Sequence, residues 1–184
     1  SDRLDAFFLD PNGQRLYTER RAIDSRLDLD ALAALPTDTL GYAYAHFLRS
    51  RGLTPDIFDG APDGVRDSQV AYVIQRLRQT HDLWHVVTGY DTDTASEIAL
   101  QAFSFGQLGA PSSLFLAAAG TLKGFREHHA LPREALAGYR AGRRAQRLAT
   151  FVWEDHWTTP LAEVRRMLHI TPVTYAAAVA RAAA

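Results

Sequence analysis

The sequence predicts an all-α fold: a single-domain bundle of about seven helices spanning residues 1–184. Three observations carry this. Apolar residues recur at three- and four-residue spacing along most of the chain, alternation of period two is nearly absent, and glycine, proline and aspartate clusters punctuate the periodic segments. With 184 residues and 47% hydrophobic composition, one domain can bury a core without a disulfide or other staple.

In chain order, Asp10-Pro11-Asn12-Gly13 is a turn signal between Phe7-Phe8-Leu9 and Leu16-Tyr17. It either closes a small hairpin or links two short helices, and the residues leave both open. A short helix is expected around Asp28 to Ala34, ended by Pro36, and a longer one from about Thr39 to Arg51. The breakers Gly52, Pro55, Gly60, Pro62 and Gly64 then mark a surface loop.

From Asp67 onward, Val70, Val73, Ile74, Leu77, His81, Trp84 and Thr88 fall on one helical face. Gly89 suits a left-handed C-terminal cap, Asp91 to Asp93 form a turn, and a second helix runs from about Thr94 to Gln107. The two are expected to form an antiparallel hairpin. Further helices are expected at Pro111 to His128, Pro132 to Trp157, Pro160 to Leu168 and Pro172 to Ala183, with proline favoured in a first turn.

Composition excludes several functions. A net charge of −1, with arginines spread along the chain, provides no basic surface for a phosphate backbone, so no nucleic-acid partner is expected. There is no cysteine, hence no disulfide, thiolate ligand or thiol nucleophile, and a bound metal must be held by nitrogen and oxygen. The most apolar stretch, Pro111 to Ala119, is too short to span a bilayer. The sequence begins at Ser1 without a methionine, which leaves an upstream targeting peptide open.

His81 and His85 are four residues apart and share a helix face, so their imidazoles can converge on one ion. Asp82, about 100° around the helix, can reach that ion from the flank or accept a hydrogen bond that fixes an imidazole tautomer. Counting outward from the turn, Glu97 opposes His85 and Gln101 opposes His81. Each residue also has a plainer explanation. Asp82 can pair with Arg78, Glu97 can close a capping box with Thr94, and the histidines can be core residues bonded to carbonyls. Convergence favours the metal, because four polar groups buried together without partners would each cost roughly 1–3 kcal/mol.

The pattern His81-Asp82-x-x-His85, eleven residues, Glu97 resembles the signature of the Coq4 family of ubiquinone-biosynthesis proteins. "DPNGQRLYTERRAIDSR", "LPTDTLGYAYAHFL", "TPD", "AYVIQRLRQTHDLWH" and "WEDHWTTPLAEVRRMLHITP" are similar to further family segments in the same order. Ser96 departs from the family's usual glycine, and Ile57-Phe58 stands where many members carry a nearby arginine.

The resemblance implies a Coq4-like helical domain holding a divalent metal ion, which could be zinc, iron, manganese or cobalt. It implies His81, Asp82, His85 and Glu97 as metal-binding and catalytic residues. The implied reaction is oxidative decarboxylation, in which the C1 carboxyl of a polyprenylated 4-hydroxybenzoate-derived precursor is replaced by hydroxyl, with molecular oxygen as a candidate co-substrate. A lipid-binding organiser with a structural metal is the competing reading. Also implied are other ubiquinone-biosynthesis proteins as partners and a peripheral membrane contact: on the inner membrane from the cytoplasm in a bacterium, or from the matrix in a mitochondrion. A homodimer is the default assembly.

Candidate substrate contacts are Arg76, Arg78 and Gln101, with Lys123 and Arg126 further along, and Leu114 and Phe115 for an isoprenoid tail. Solvated helix faces and close helix packing account for the same residue types. A third reading, a phosphohydrolase using the His-Asp pair, would need His46 and Asp155 as additional ligands.

Overall fold

A computed structural model of the chain describes residues 2–55, 64–109 and 131–173. Among these residues all regular structure is helical: eight α-helices and two 3₁₀ turns, with a single isolated bridge between Thr39 and Pro160 in place of any strand. The α-helices are α1 (Asp2–Phe8), α2 (Pro11–Thr18), α3 (Leu29–Ala33), α4 (Leu40–Ser50), α5 (Ser68–Thr88), α6 (Thr94–Leu108), α7 (Leu131–Arg144) and α8 (Leu161–Met167). The expected helices at Pro111 to His128 and Pro172 to Ala183 lie essentially outside the described residues, as does most of the breaker-rich loop. The chain divides into two compact units, Ser1–Val86 with Arg147–Val164, and Val87–Gln146 with Arg165–Ala184.

In the first unit the Asp10–Gly13 turn links two helices. The Asp10 carboxylate accepts from the Asn12 amide, and Pro11 occupies the first turn of α2, where its missing N–H costs nothing. Asp28 caps α3 through the Ala31 amide, and the Thr39 hydroxyl caps α4 through the Tyr42 amide. Asp67 accepts from the amides of Gln69 and Val70 at the start of α5. Polar side chains thus set four helix starts by satisfying amides that have no partner in the helix.

Phe7, Leu16 and Val152 form a buried cluster with Tyr72 and Val73 of α5 against it. The Tyr72 hydroxyl donates to the carbonyls of Leu16 and Arg21 at 2.7 and 2.9 Å, which ties α5 to the end of α2. The start of α4 is tied to the 157–161 segment, where Leu40 N donates to Thr159 O, Gly41 N to Trp157 O and Leu161 N to Asp38 O.

The expected helix from Pro132 to Trp157 is shorter than the sequence suggests: α7 ends at Arg144, and two 3₁₀ turns, Leu148–Thr150 and Trp153–Asp155, follow. Leu148, Thr150 and Val152 are all buried, an every-second-residue pattern that one helix face cannot supply, since residues two apart lie about 200° around a helix. Gln146 N also donates to Leu168 O, so the backbone has left the helical ladder by that point.

In the second unit α6 and α7 approach until backbones touch. A Cβ on Gly138 would stand 2.3 Å from Ala99 O, one on Gly142 2.2 Å from Phe103 O, and one on Gly106 2.5 Å from Tyr139 O. The Gln107 amide bridges the same contact, donating to Gly142 O at 2.6 Å. At the C-terminus of α5, Gly89 has φ of +77°, as a left-handed cap requires. Val173 N donates to Thr88 O, and Arg165 Nε donates to Val87 O at 2.9 Å.

Candidate metal centre

His81 and His85 project from the same face of α5, as residues one turn apart must. Their Nε2 atoms face each other at 3.2 Å, with the ring planes nearly perpendicular at 88°. His85 is 2% exposed and its ring stacks on Phe47 of α4, with centroids 5.4 Å apart. His81 and Asp82 are partly buried.

One ligand atom each from His81, His85 and Glu97 lie within 4.8 Å of one another, a group that could hold a metal ion. The donor set fits such an ion. Two nitrogens bound to one cation at roughly 2.0–2.1 Å stand about 3.0–3.4 Å apart, and the observed 3.2 Å lies inside that range. Two imidazoles and a carboxylate also match the donor chemistry of divalent transition metals.

The capping-box explanation of Glu97 does not hold. Asp93 is the N-cap of α6: its Oδ1 accepts from the amides of Ala95 and Ser96, and Ser96 Oγ donates to its Oδ2 at 2.6 Å. Thr94 is already the first helical residue, so Ser96 stands at the third position of the cap and Glu97 beyond it. The Glu97 side chain, partly buried, is therefore not engaged in capping. Ser96 instead joins the cap, donating from its amide and its hydroxyl to the Asp93 carboxylate.

Asp82 is not among the three grouped residues. Its charge is felt instead at Tyr44 of α4, whose phenol burial and the Asp82 carboxylate push above its ordinary range. Arg76 is 1% exposed and grips Glu154, at 2.5 Å from Nη1 to Oε1 and 2.8 Å from Nη2 to Oε2. To meet a substrate it would have to leave that pair. Arg78 is exposed and Gln101 partly buried. Leu114, Phe115, Lys123 and Arg126 lie outside the described residues.

The extra ligands a phosphohydrolase would need are engaged elsewhere: His46 stacks on Tyr42, and Asp155 is bound by Arg15 and Arg21. Tyr44 and Phe47, which flank Asp82 and His85, were not singled out by sequence reasoning. Their signal was the "LGYAYAHFL" block, where both fall on the apolar face of a helix and read simply as core.

Comparison with known proteins places the chain in a family. The family model described as coenzyme Q (ubiquinone) biosynthesis protein Coq4 matches residues 3–174. A mitochondrial ubiquinone biosynthesis protein COQ4 homolog from Danio rerio is 35% identical over 164 residues, covering 88% of this chain and 60% of the relative. A mitochondrial COQ4 from Coprinopsis cinerea is 31% identical over 165 residues, covering 88% of this chain and 56% of the relative. The chain thus spans less than two thirds of the length of these curated relatives. A crystal structure from Nostoc punctiforme, described as that of a candidate ubiquinone biosynthesis protein, superposes with a TM-score of 0.74 at 31% identity, covering 90% of this chain and 78% of that one. The family-model match spans the segment that holds His81, His85 and Glu97 as well as the C-terminal signature, and the chain belongs to the Coq4 family of coenzyme Q (ubiquinone) biosynthesis proteins.

Proposed function

We propose that this chain carries out a metal-dependent step of ubiquinone biosynthesis, replacing the ring C1 carboxyl of a polyprenylated 4-hydroxybenzoate-derived precursor by hydroxyl. The observation that carries the reading is the meeting of two imidazole nitrogens and a carboxylate oxygen within 4.8 Å. His81, His85 and Glu97 hold the ion, and Asp82 serves it from the flank. When bound, the ion supplies a Lewis acid for the substrate's carboxylate or phenolate, and zinc, iron, manganese and cobalt all suit these donors. Exchange of carboxyl for hydroxyl is a two-electron oxidation, and molecular oxygen is the proposed oxidant: with one water, the carboxyl leaves as carbon dioxide, the ring gains hydroxyl and the oxygen is reduced to hydrogen peroxide.

The chain's own residues prepare the site. Phe47 stacks on His85 and fixes the plane of its ring, which aims Nε2 at His81 and shields one face of the imidazole from water. Both imidazoles must present unprotonated nitrogens to the ion. Arg78 and Gln101 are the proposed polar contacts to the substrate, and Leu114 and Phe115 the contacts to its tail. Among the described residues no helix is long and apolar enough to cross a membrane. The curated relatives are named as mitochondrial, and a peripheral contact with the inner membrane is proposed for this chain, together with a single functional domain over 1–184, a homodimer and association with other enzymes of the pathway.

Elemental analysis of the purified protein tests the reading, coupled to a turnover assay on a short-tailed precursor. About one divalent ion per chain is expected in the wild type, with loss of the ion and of turnover in His81→Ala and His85→Ala. Full metal content in both variants would place the ion elsewhere. A loaded protein that never turns over substrate would mean an organiser of prenylated intermediates with a structural metal.

A further inference from the structure

The close crossing with α6 fixes which residues of α7 face outward. Gly138 and Gly142 touch the α6 backbone, and turning the helix by one position would drive the Cβ of a neighbour into it. Tyr139, on the flank, stacks on Phe105 of α6 with centroids 5.7 Å apart. At about 100° per residue, Arg133, Leu136, Arg140, Arg143 and Arg144 then fall within about 60° of the direction opposite the two glycines. All five are exposed, Leu136 by 47%. The one acidic residue of α7, Glu134, lies toward the glycine side and is partly buried. Where α7 ends, Gln146 N donates to Leu168 O at 2.9 Å and Gln146 Nε2 stands 3.4 Å from His169 Nδ1, which brings Arg166 and Met167, both exposed, close to the same helix end. The described residues leave three large apolar side chains exposed, Leu9, Leu136 and Met167, and two of them adjoin these arginines.

We propose that the outward face of α7, made of Arg133, Leu136, Arg140, Arg143 and Arg144, is an interaction surface for a bilayer rich in anionic phospholipid. The inference supplies a surface for the peripheral membrane contact given under Proposed function and rests on that contact, not on the ion site. A net charge of −1 over the whole chain conceals the concentration of positive charge on this one face. The four arginines are spread over roughly 16 Å of helix axis, more than a single phosphate spans, so they fit a sheet of headgroups rather than one anion. Each guanidinium can pair phosphate oxygens in a fork, and its apolar stem lies along the boundary between headgroups and acyl chains. Leu136, set among the four, enters that boundary, a use for an exposed leucine that a nucleic-acid backbone does not offer. An acidic protein would need a pocket matched to this leucine, whereas a bilayer accepts it at any point.

The experiment is flotation of the full chain with vesicles of phosphatidylcholine alone and of phosphatidylcholine containing about one third phosphatidylglycerol. Wild type is expected to float with the anionic vesicles only, and to be released as added salt screens the charges. Each of Arg133→Gln, Arg140→Gln, Arg143→Gln and Arg144→Gln is expected to weaken binding about fivefold, and the four together to abolish it. Leu136→Ser is expected to weaken binding severalfold without changing its dependence on salt. Arg26→Gln, which removes an arginine 77% exposed in the first unit, is expected to bind as wild type does. Unfolding temperatures of the variants should match that of wild type, because the substituted side chains face away from α6. Equal flotation of wild type and the fourfold variant would leave the membrane contact standing and overturn this surface. No flotation of wild type with anionic vesicles would overturn both, and retention of that protein by polyglutamate would then give the face to an acidic protein. None of these readouts depends on bound metal, so the ion site and this surface fail separately.

Discussion

Glu97 shows what one residue of displacement means at the start of a helix. Thr94 and Glu97 have capping-box spacing, and on sequence alone the carboxylate is as well explained by backbone amides as by a metal. The structure puts the cap one residue back, at Asp93, which leaves Glu97 outside the capping box. Asp93→Ala is expected to cost about 1 kcal/mol of stability and leave metal affinity unchanged. Glu97→Gln, which keeps shape but removes the anionic donor, is expected to lower metal affinity at least about tenfold. Competition with a chelator measures the affinity and thermal unfolding the stability; the reverse pattern would return Glu97 to the backbone. The histidine pair was legible because spacing of four residues fixes a shared face whatever the surroundings. The cap was not, because Asp91-Thr92-Asp93-Thr94 holds four consecutive candidate capping residues, and only backbone dihedrals choose among them.

At the scale of elements, the crossing of α6 and α7 rests on absent side chains. Gly138 and Gly142, one turn apart on α7, admit the carbonyls of Ala99 and Phe103 into space a Cβ would occupy. The obstructing atoms are backbone, which cannot rotate aside, so Gly142→Ala must push the helices apart and break the Gln107 bridge to Gly142 O. A loss of about 1–3 kcal/mol is expected in chemical denaturation, more than the few tenths to 1 kcal/mol that alanine gains from helix propensity. A stabilised variant would refute the close crossing. These glycines were illegible in sequence, since a glycine within a helical pattern reads as a tolerated defect until its neighbour is known. Helix starts were legible almost everywhere, because caps are local chemistry; the end of α7 was not, because what stops it is burial of Leu148, Thr150 and Val152 by distant parts of the chain.

For the molecule as a whole, charge predicts behaviour in acid. Arg15 and Arg21 both reach Glu19 and Asp155. Partial burial works to raise the Asp155 carboxyl, and the two guanidiniums outweigh it, holding it below its ordinary 3.8. Arg21 and then Arg15 hold Glu19 below its ordinary 4.5. Carboxyls depressed in the folded state stabilise it fully above their unfolded values and lose that contribution as pH falls through their folded ones. Unfolding temperature is therefore expected to be flat in these groups at neutral pH and to fall below about pH 4.5, with a shallower fall in Asp155→Asn. An unchanged slope in that variant would mean that the exposed cluster contributes nothing, as isolated surface pairs often do. The fold class was legible because periodicity is repeated in every segment, so local errors do not alter the class. Pairings such as Arg76 with Glu154 were not, because nothing in a linear pattern names a partner so far along the chain.

That last pairing bears on how the molecule is made. The first unit draws on residues before Val86 and again on Arg147–Val164, so a ribosome has to synthesise the whole of α6 and α7 before Glu154 emerges. Until then burial of the Arg76 charge has no Glu154 to compensate it, a cost that disfavours closing the first unit early. Completion of the first unit is therefore expected to wait for the segment that carries Glu154, while α6 and α7, near neighbours in sequence, are free to pair earlier.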